Sequence, residues 1–263
     1  MYIWDPSDYL ANSPVQQKWA QEMIGKLHLS GNEKVLDLGC GDGRITSEIA
    51  VRVPEGRVTG VDNSREMVGF AREHFPLSMY SNLSFEICDV RRLPVLGEFD
   101  IAFSNAALHW VPEQVAVLEG VRNNLASGGR LLFQMGGRGN AARFLDEILP
   151  EVMRRPRWNT YFSGFVVPYH FFGDEEYTGF LTSAGLIPRR VQLILKDMVY
   201  QDRDGLAGWI RTTWFPYTHA VPKELRDMVI REIVETYLEK YPPDPDDTIR
   251  VPMVRLEIEA IKE

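Results

Sequence analysis

The sequence predicts an α/β fold, a doubly wound, mostly parallel sheet with helices on both faces. Three observations carry this. Apolar runs alternate with amphipathic stretches from residue 34 to 135, a Gly-rich turn joins the first such pair, and an aspartate closes the second run. Crossovers of this kind are right-handed and place ligands at the carboxyl ends of the strands.

Taken in order, a strand is predicted at Lys34–Leu38. After the glycine turn comes a helix from Arg44 to about Val53, with Ile45, Ile49, Ala50 and Val53 on one face. A strand at Arg57–Val61 and a helix at Arg65–His74 repeat the unit; Asn63 or Ser64 can cap that helix, and Pro76 follows its end. Leu83–Ile87 reads as the third strand and Phe99–Ser104 as a buried fourth. Pro112 opens a helix over Glu113–Leu125, and Ser127-Gly128-Gly129 launches a strand at Arg130–Met135. The second half is less regular, with a helix at 174–184, a strand at Arg190–Val199, and helices at Asp204–Trp214 and Lys223–Lys240. A turn-rich YPPDPDD linker at Tyr241–Asp247 then leads to a last strand at Val254–Ile261. Two helices between two strands read as an insertion over the ligand edge. The expected layout is an N-terminal helical segment (1–30), a core (31–200), a helical lid insertion (201–247) and a final core strand (248–263).

Composition narrows the function classes. With 263 residues, 44% hydrophobic and 25% charged, the chain suits one large domain and excludes disordered and fibrous classes. No apolar run approaches a membrane span, and MYIWDPSDYL lacks the basic and apolar regions of a signal peptide, so a cytoplasmic protein without membrane insertion is expected. A net charge of −8 with no basic block argues against nucleic acid as a partner. Cys40 and Cys88 have neither CxxC spacing nor a nearby His, so neither a disulfide framework nor a metal is expected.

The turn Asp37-Leu38-Gly39-Cys40-Gly41-Asp42-Gly43 lets a ligand approach the backbone where no Cβ intervenes. Its spacing is GxGxG, unlike the GxGxxG of dinucleotide sites, and Asp37 and Asp42 would repel a pyrophosphate. An ammonium or sulfonium would be attracted, and a ligand carboxylate could still use N–H groups at the helix start. Asp62, ending the second strand, can accept bonds from both ribose hydroxyls or merely cap the next helix. Asp89 can accept from an adenine amino group while Val90 covers the ring, or it can be a surface turn residue.

Taken together, VLDLGCGDG, VTGVDNSREM, CDVRRLP and FDIAFSNAALHWV resemble the successive motifs of the class I S-adenosylmethionine-dependent methyltransferases, over roughly residues 34–135. The resemblance implies a Rossmann-like, seven-stranded sheet, S-adenosylmethionine as cofactor and S-adenosylhomocysteine as product. It assigns Asp37, Gly39, Gly41 and Gly43 to the methionine loop, Asp62 to the ribose, Asp89 with Val90 to the adenine, and Asn105 with Ala106 to the methyl end; Cys40 and Asn63 fall in the same cofactor stretches. SNAALHWV and the Tyr9–Gln16 segment are similar to trans-aconitate and juvenile hormone acid methyltransferases, which esterify carboxylates. Relatives acting on malonyl carrier protein share part of the pattern. That likeness points to Gln16 and Trp110, with Tyr9, as groups holding a small-molecule acceptor.

Methyl transfer to an already ionised carboxylate needs alignment and exclusion of water more than a base. The lid supplies apolar walls through Trp209, Trp214, Phe215 and Tyr217, and Arg211, Arg138 or Arg143 can grip a carboxylate. The segment Ser104-Asn105-Ala106-Ala107 lacks the (N/D)PPY pattern of base and glutamine amino methylation, which leaves a small-molecule oxygen acceptor. If that oxygen belongs to a hydroxyl or phenol, His109 is the candidate base; with a carboxylate it orients the substrate. Two readings of other classes stay open, a cofactor-binding protein without catalysis and a nicotinamide oxidoreductase.

Overall fold

The computed structural model describes residues 14–263, with side chains from residue 19 onward. The first half of the chain runs α1 (Pro14–Lys26), β1 (Lys34–Leu38), α2 (Arg44–Arg52), β2 (Arg57–Asp62), α3 (Arg65–His74), β3 (Leu83–Ile87), β4 (Phe99–Asn105) and α4 (Gln114–Asn124). It continues through β5 (Leu125–Gly136), α5 (Leu149–Met153), α6 (Asp174–Ser183), β6 (Ile187–Tyr200), α7 (Arg203–Thr213), α8 (Phe215–Thr218), α9 (Arg226–Lys240) and β7 (Ile249–Ile261).

Val35 and Leu36 are neighbours in β1 and face opposite ways, so one buried sheet feeds two cores. Val35 packs in a cluster with Met23 of α1, Ile49 of α2 and Val68 of α3. Leu36 lies in the opposite cluster with Val117 and Val121 of α4 and Tyr177 and Leu181 of α6. Burying an aliphatic side chain of this size contributes roughly 1.5–3 kcal/mol, which explains why the strands read as nearly unbroken apolar runs. Ser64 starts α3 by accepting a hydrogen bond from the Met67 N–H, and it is the cap in preference to Asn63.

The seven strands are ordered β3-β2-β1-β4-β5-β7-β6; β1 to β5 are parallel, and β7 runs antiparallel between β5 and β6. The order reverses between β1 and β4, so the loops leaving these two strands diverge and open a crevice. The seven-stranded, mostly parallel sheet is the predicted fold class. No described helix is long and apolar enough to cross a membrane.

Three differences from the sequence reading have physical causes. β5 begins at Leu125, because Gly128 adopts a φ of +74° and its N–H bonds to the Lys262 carbonyl, which holds the glycine turn at the sheet edge. β6 and β7 are longer than read, since their far ends, Met198–Tyr200 and Ile249–Val251, pair only with each other and bury a mixed face. Residues 143–148 form a wide π-helical turn running into α5, where Pro150 has no N–H to offer the preceding turn. This segment joins α7, α8 and α9 in a third cluster through Phe144, Trp158, Trp209, Trp214 and Tyr237. The helices between β6 and β7 therefore share their core with residues 141–169.

Candidate active site

The crevice at the strand ends holds a cavity of about 360 Å³, within the range of small-ligand and cofactor sites. Its floor is backbone. Gly39, Gly41 and Gly43 have φ of +74°, +53° and +81°, conformations that side chains resist. A Cβ on Gly39 would lie 2.2 Å from the Ala107 Cβ, so the loops after β1 and β4 touch there. Gly43 does not line the cavity; its missing side chain makes room for Ala71 and Phe85 under α2.

Four aspartates line this cavity: Asp37, Asp42, Asp62 and Asp89. Asp37 is buried and accepts a hydrogen bond from the Thr46 hydroxyl at 2.7 Å; burial raises it to about 7, against that bond and with help from Asp62. Asp62 accepts from the Gly41 N–H at 3.0 Å and the Ser64 N–H at 2.9 Å, and burial raises its carboxyl against those bonds. A carboxylate has about four lone-pair sites, so Asp62 can still accept from a ligand. Asp89 binds Arg91 at 2.6 Å, which holds it below the usual carboxylate range. Asp42 is paired with Arg44. Cys40, which packs against Gly60, is pushed well up by burial and the nearby aspartates, so it is a neutral wall and not a nucleophile. Asn63, Val90, Asn105, Ala106 and Trp110 also line the cavity.

A second, smaller cavity of about 90 Å³ adjoins the first, and both are lined by Asn105 and Ala106. Ala106 is held at a φ of +55° while its N–H donates to the Gln134 carbonyl. The Asn105 Oδ1 is buried and has no partner among the described residues. Around the second cavity stand His109, Trp209, Trp214 and Arg255, all with buried nitrogens lacking a partner among the described residues: His109 Nδ1, both indole Nε1 atoms, and Arg255 Nε and Nη1. Burial, with the neighbouring His170, lowers His109 to about 4. Buried polar atoms are normally satisfied, so these groups stand out among the described residues.

The structure separates the sequence-derived acceptor residues. His109, Trp209 and Trp214 meet at the second cavity, whereas Trp110 packs edge-on to Tyr169 at 4.6 Å and borders the first. Arg138 is exposed and paired with Glu176, Arg143 lies over the Tyr241 ring, and Arg211 is exposed on α7; none of the three lines either cavity. Gln16 lies in α1 with its side chain outside the described residues, as is Tyr9 entirely. Arg255 was missed. Its signal is parity: in β7, Val251, Met253, Arg255 and Glu257 share one buried face, and a charge in an apolar alternation is informative. Among the described residues no group of His, Cys, Asp and Glu is arranged to hold a metal ion.

Residues 29–185 match the family model described as a methyltransferase domain. The chain is 28% identical over 262 residues to a trans-aconitate 2-methyltransferase of Methylobacterium nodulans, covering 97% of each. It is 30% identical to an uncharacterized methyltransferase of Schizosaccharomyces pombe, over 88% of this chain and 87% of the relative. A geranyl diphosphate methyltransferase solved in complex with SAM shares the fold, with a TM-score of 0.55 and 16% identity, covering 94% of this chain and 77% of that one. A glycine-floored cavity ringed by carboxylates fits a cofactor with sulfonium, ammonium and ribose hydroxyls, and the chain belongs to the methyltransferase domain family as an S-adenosylmethionine-dependent enzyme.

Proposed function

We propose that the protein transfers a methyl group to a carboxylate oxygen of a small organic acid, in the manner that the name of its trans-aconitate 2-methyltransferase relatives describes for them. The observation that carries this reading is the state of His109. Apart from Tyr169 and Arg255, it is the titratable group among the described residues lining the second cavity, and at about 4 it is neutral at physiological pH. Deprotonating a phenol of pKa ~10 with such a base is uphill by about 6 units, roughly 8 kcal/mol. A carboxylate arrives ionised and asks for no base. His109 then serves as a neutral hydrogen-bonding group whose Nδ1 meets the acceptor.

When bound, S-adenosylmethionine supplies an electrophilic methyl carbon, and S-adenosylhomocysteine is the product. Asp62 would hold ribose hydroxyls, Asp89 and Val90 would border the adenine, and Asp37 would face the cationic end. Asn105 and Ala106, shared by both cavities, would hold the acceptor oxygen in line with the cofactor's methyl end, so that the displacement would take place between held partners. The aromatic wall of Tyr169, Trp209 and Trp214 keeps water out. A turnover screen of organic acids against phenols and amines, reading S-adenosylhomocysteine and identifying the product, tests this. Methyl esters are expected; methylation confined to phenols or amines would overturn it.

A further inference from the structure

Gln134 is the polar side chain in the buried run Leu131–Met135 of β5, whose other members, Leu131, Leu132, Phe133 and Met135, are wholly buried. Leu131, Phe133 and Met135 pack toward α4 and α6 and Leu132 toward α1 and α2, so alternation puts the Gln134 side chain on the α1 face. There the register sets it between Asn105 of β4 and Glu257 of β7. Glu257 is already paired with Lys26, Arg190 and Arg255, and asks nothing of Gln134. Asn140, another carboxamide at the second cavity, commits its oxygen to the Val254 N–H at 3.1 Å. The Gln134 carboxamide makes no hydrogen bond among the described residues. It also differs from the sealed oxygen of Asn105: Gln134 is 5% exposed, it lines the second cavity, and neither of its polar atoms is closed off from that space. Burying an amide without a partner is unfavourable, a cost that a leucine or methionine here would avoid. The Gln134 carbonyl meanwhile holds the Ala106 N–H at 2.8 Å, which sets the residue beside the junction of the two cavities, on the side of the smaller one.

We propose that Gln134 is a further acceptor-binding residue, whose carboxamide N–H donates to the oxygen of the reacting carboxylate that does not attack. This rests on the carboxylate reading above. The two oxygens of a carboxylate are equivalent in solution, and a donor fixed on one of them decides which faces the methyl. A neutral N–H does so without the full charge of a guanidinium or ammonium, whose stronger pairing would draw electron density from the attacking oxygen. That oxygen bonds to the methyl carbon as the carbon–sulfur bond breaks, the electron pair of the broken bond stays on sulfur, and no proton moves. A carboxamide, which does not titrate, suits such a step, as does the neutral His109 of the same cavity.

The test compares wild type with Gln134→Met, which keeps the length and removes the donor, and Gln134→Glu, which keeps the shape and sets an anion against the acceptor. The probe is whichever acid of the screen above, trans-aconitate, butanoate and benzoate included, the wild type esterifies fastest. Two readouts are used: calorimetric binding of that acid to the S-adenosylhomocysteine complex, and kcat/KM for its esterification. Gln134→Met is expected to lower both about tenfold and Gln134→Glu about a hundredfold, the range for a hydrogen bond to a charged group. Affinity for S-adenosylhomocysteine alone should stay within twofold of wild type, which shows that a variant is folded; should methionine fail that check, glutamate carries the comparison. A packing role predicts a different pattern, because both variants nearly conserve volume and Ala106 is held by the backbone of residue 134: acid binding would stay near wild type in both, and that overturns the assignment. Loss of S-adenosylhomocysteine affinity in both variants makes Gln134 structural and overturns it too. Esters formed equally well by wild type and variants defeat Gln134 and spare the carboxylate reading, whereas a wild type that methylates no acid defeats the reading and Gln134 with it.

Discussion

The two cavities meet at Asn105 and Ala106 but are built on opposite principles. The larger is made mainly of backbone turns and strand-end carboxylates, each within a short contiguous motif, and its carboxylates already have protein partners. The smaller takes side chains from α1, β4, β5, α7 and β7, and several of their polar atoms have no partner among the described residues. A cavity with a preorganised backbone floor suits one fixed cofactor. One assembled from distant side chains can be recut for different acceptors with the sheet unchanged.

The sharpest way to break this contrast is at the backbone floor. Gly39→Val combines an unfavourable φ of +74° with a contact of 2.2 Å to Ala107. Cofactor affinity is expected to fall by about a hundredfold or more, with a lower Tm, as strain at a special backbone position predicts. Isothermal calorimetry with S-adenosylhomocysteine checks it; affinity within threefold of wild type would mean the floor is not backbone-defined.

Asp62→Ala comes next, with an expected loss of roughly tenfold or more, since about 1.4 kcal/mol is a factor of ten. The variant also removes acceptors from the Gly41 and Ser64 N–H groups, so Asp62→Asn separates the two contributions. Binding unchanged in both variants would take Asp62 out of the ribose role.

On the acceptor side, His109→Asn should cost less than tenfold in kcat at saturating acid, with cofactor affinity unchanged. A general base would cost about 10² to 10⁴. A loss of that size, with a rate rising through pH 6–7 in wild type, would return His109 to the base role and the acceptor to a hydroxyl.

This division also explains what could be read from the chain. The fold was legible because each strand's apolar run and each turn's glycine lie within a few residues of one another, and Asp37, Asp62 and Asp89 inherit their places from the strand ends. The smaller cavity was legible only where its residues fall inside a motif, as His109 does. Arg138 and Arg211 drew attention by following a strand or sitting between tryptophans, yet α6 supplies Glu176 to the first and α7 turns the second outward. Arg255 hides in a strand whose alternation it interrupts, and no local pattern shows that Glu22, far away in sequence, will hold one edge of it.

The smallest expected effect concerns charge at the cofactor end. Burial, opposed by the Thr46 bond and aided by Asp62, raises Asp37 from its ordinary value near 3.8 to about 7. Because the folded value lies above the unfolded one, the ligand-free protein binds more protons than the unfolded chain between these limits, and its stability falls as pH rises through that window. A cationic ligand favours the ionised carboxyl, so binding releases part of a proton; with about half a proton released, affinity should climb on the order of threefold per pH unit from about pH 5 to 7, then level off. Asp62, raised in the same direction, adds to the slope. Asp37→Asn keeps a hydrogen-bond acceptor for Thr46 but cannot ionise, so both the stability slope and the affinity slope should flatten, with weaker binding above pH 7. Calorimetry and thermal melts across this range decide the matter: a flat affinity profile in wild type, or an undiminished slope in the asparagine variant, would mean that the buried carboxyl does not face the ligand's positive charge.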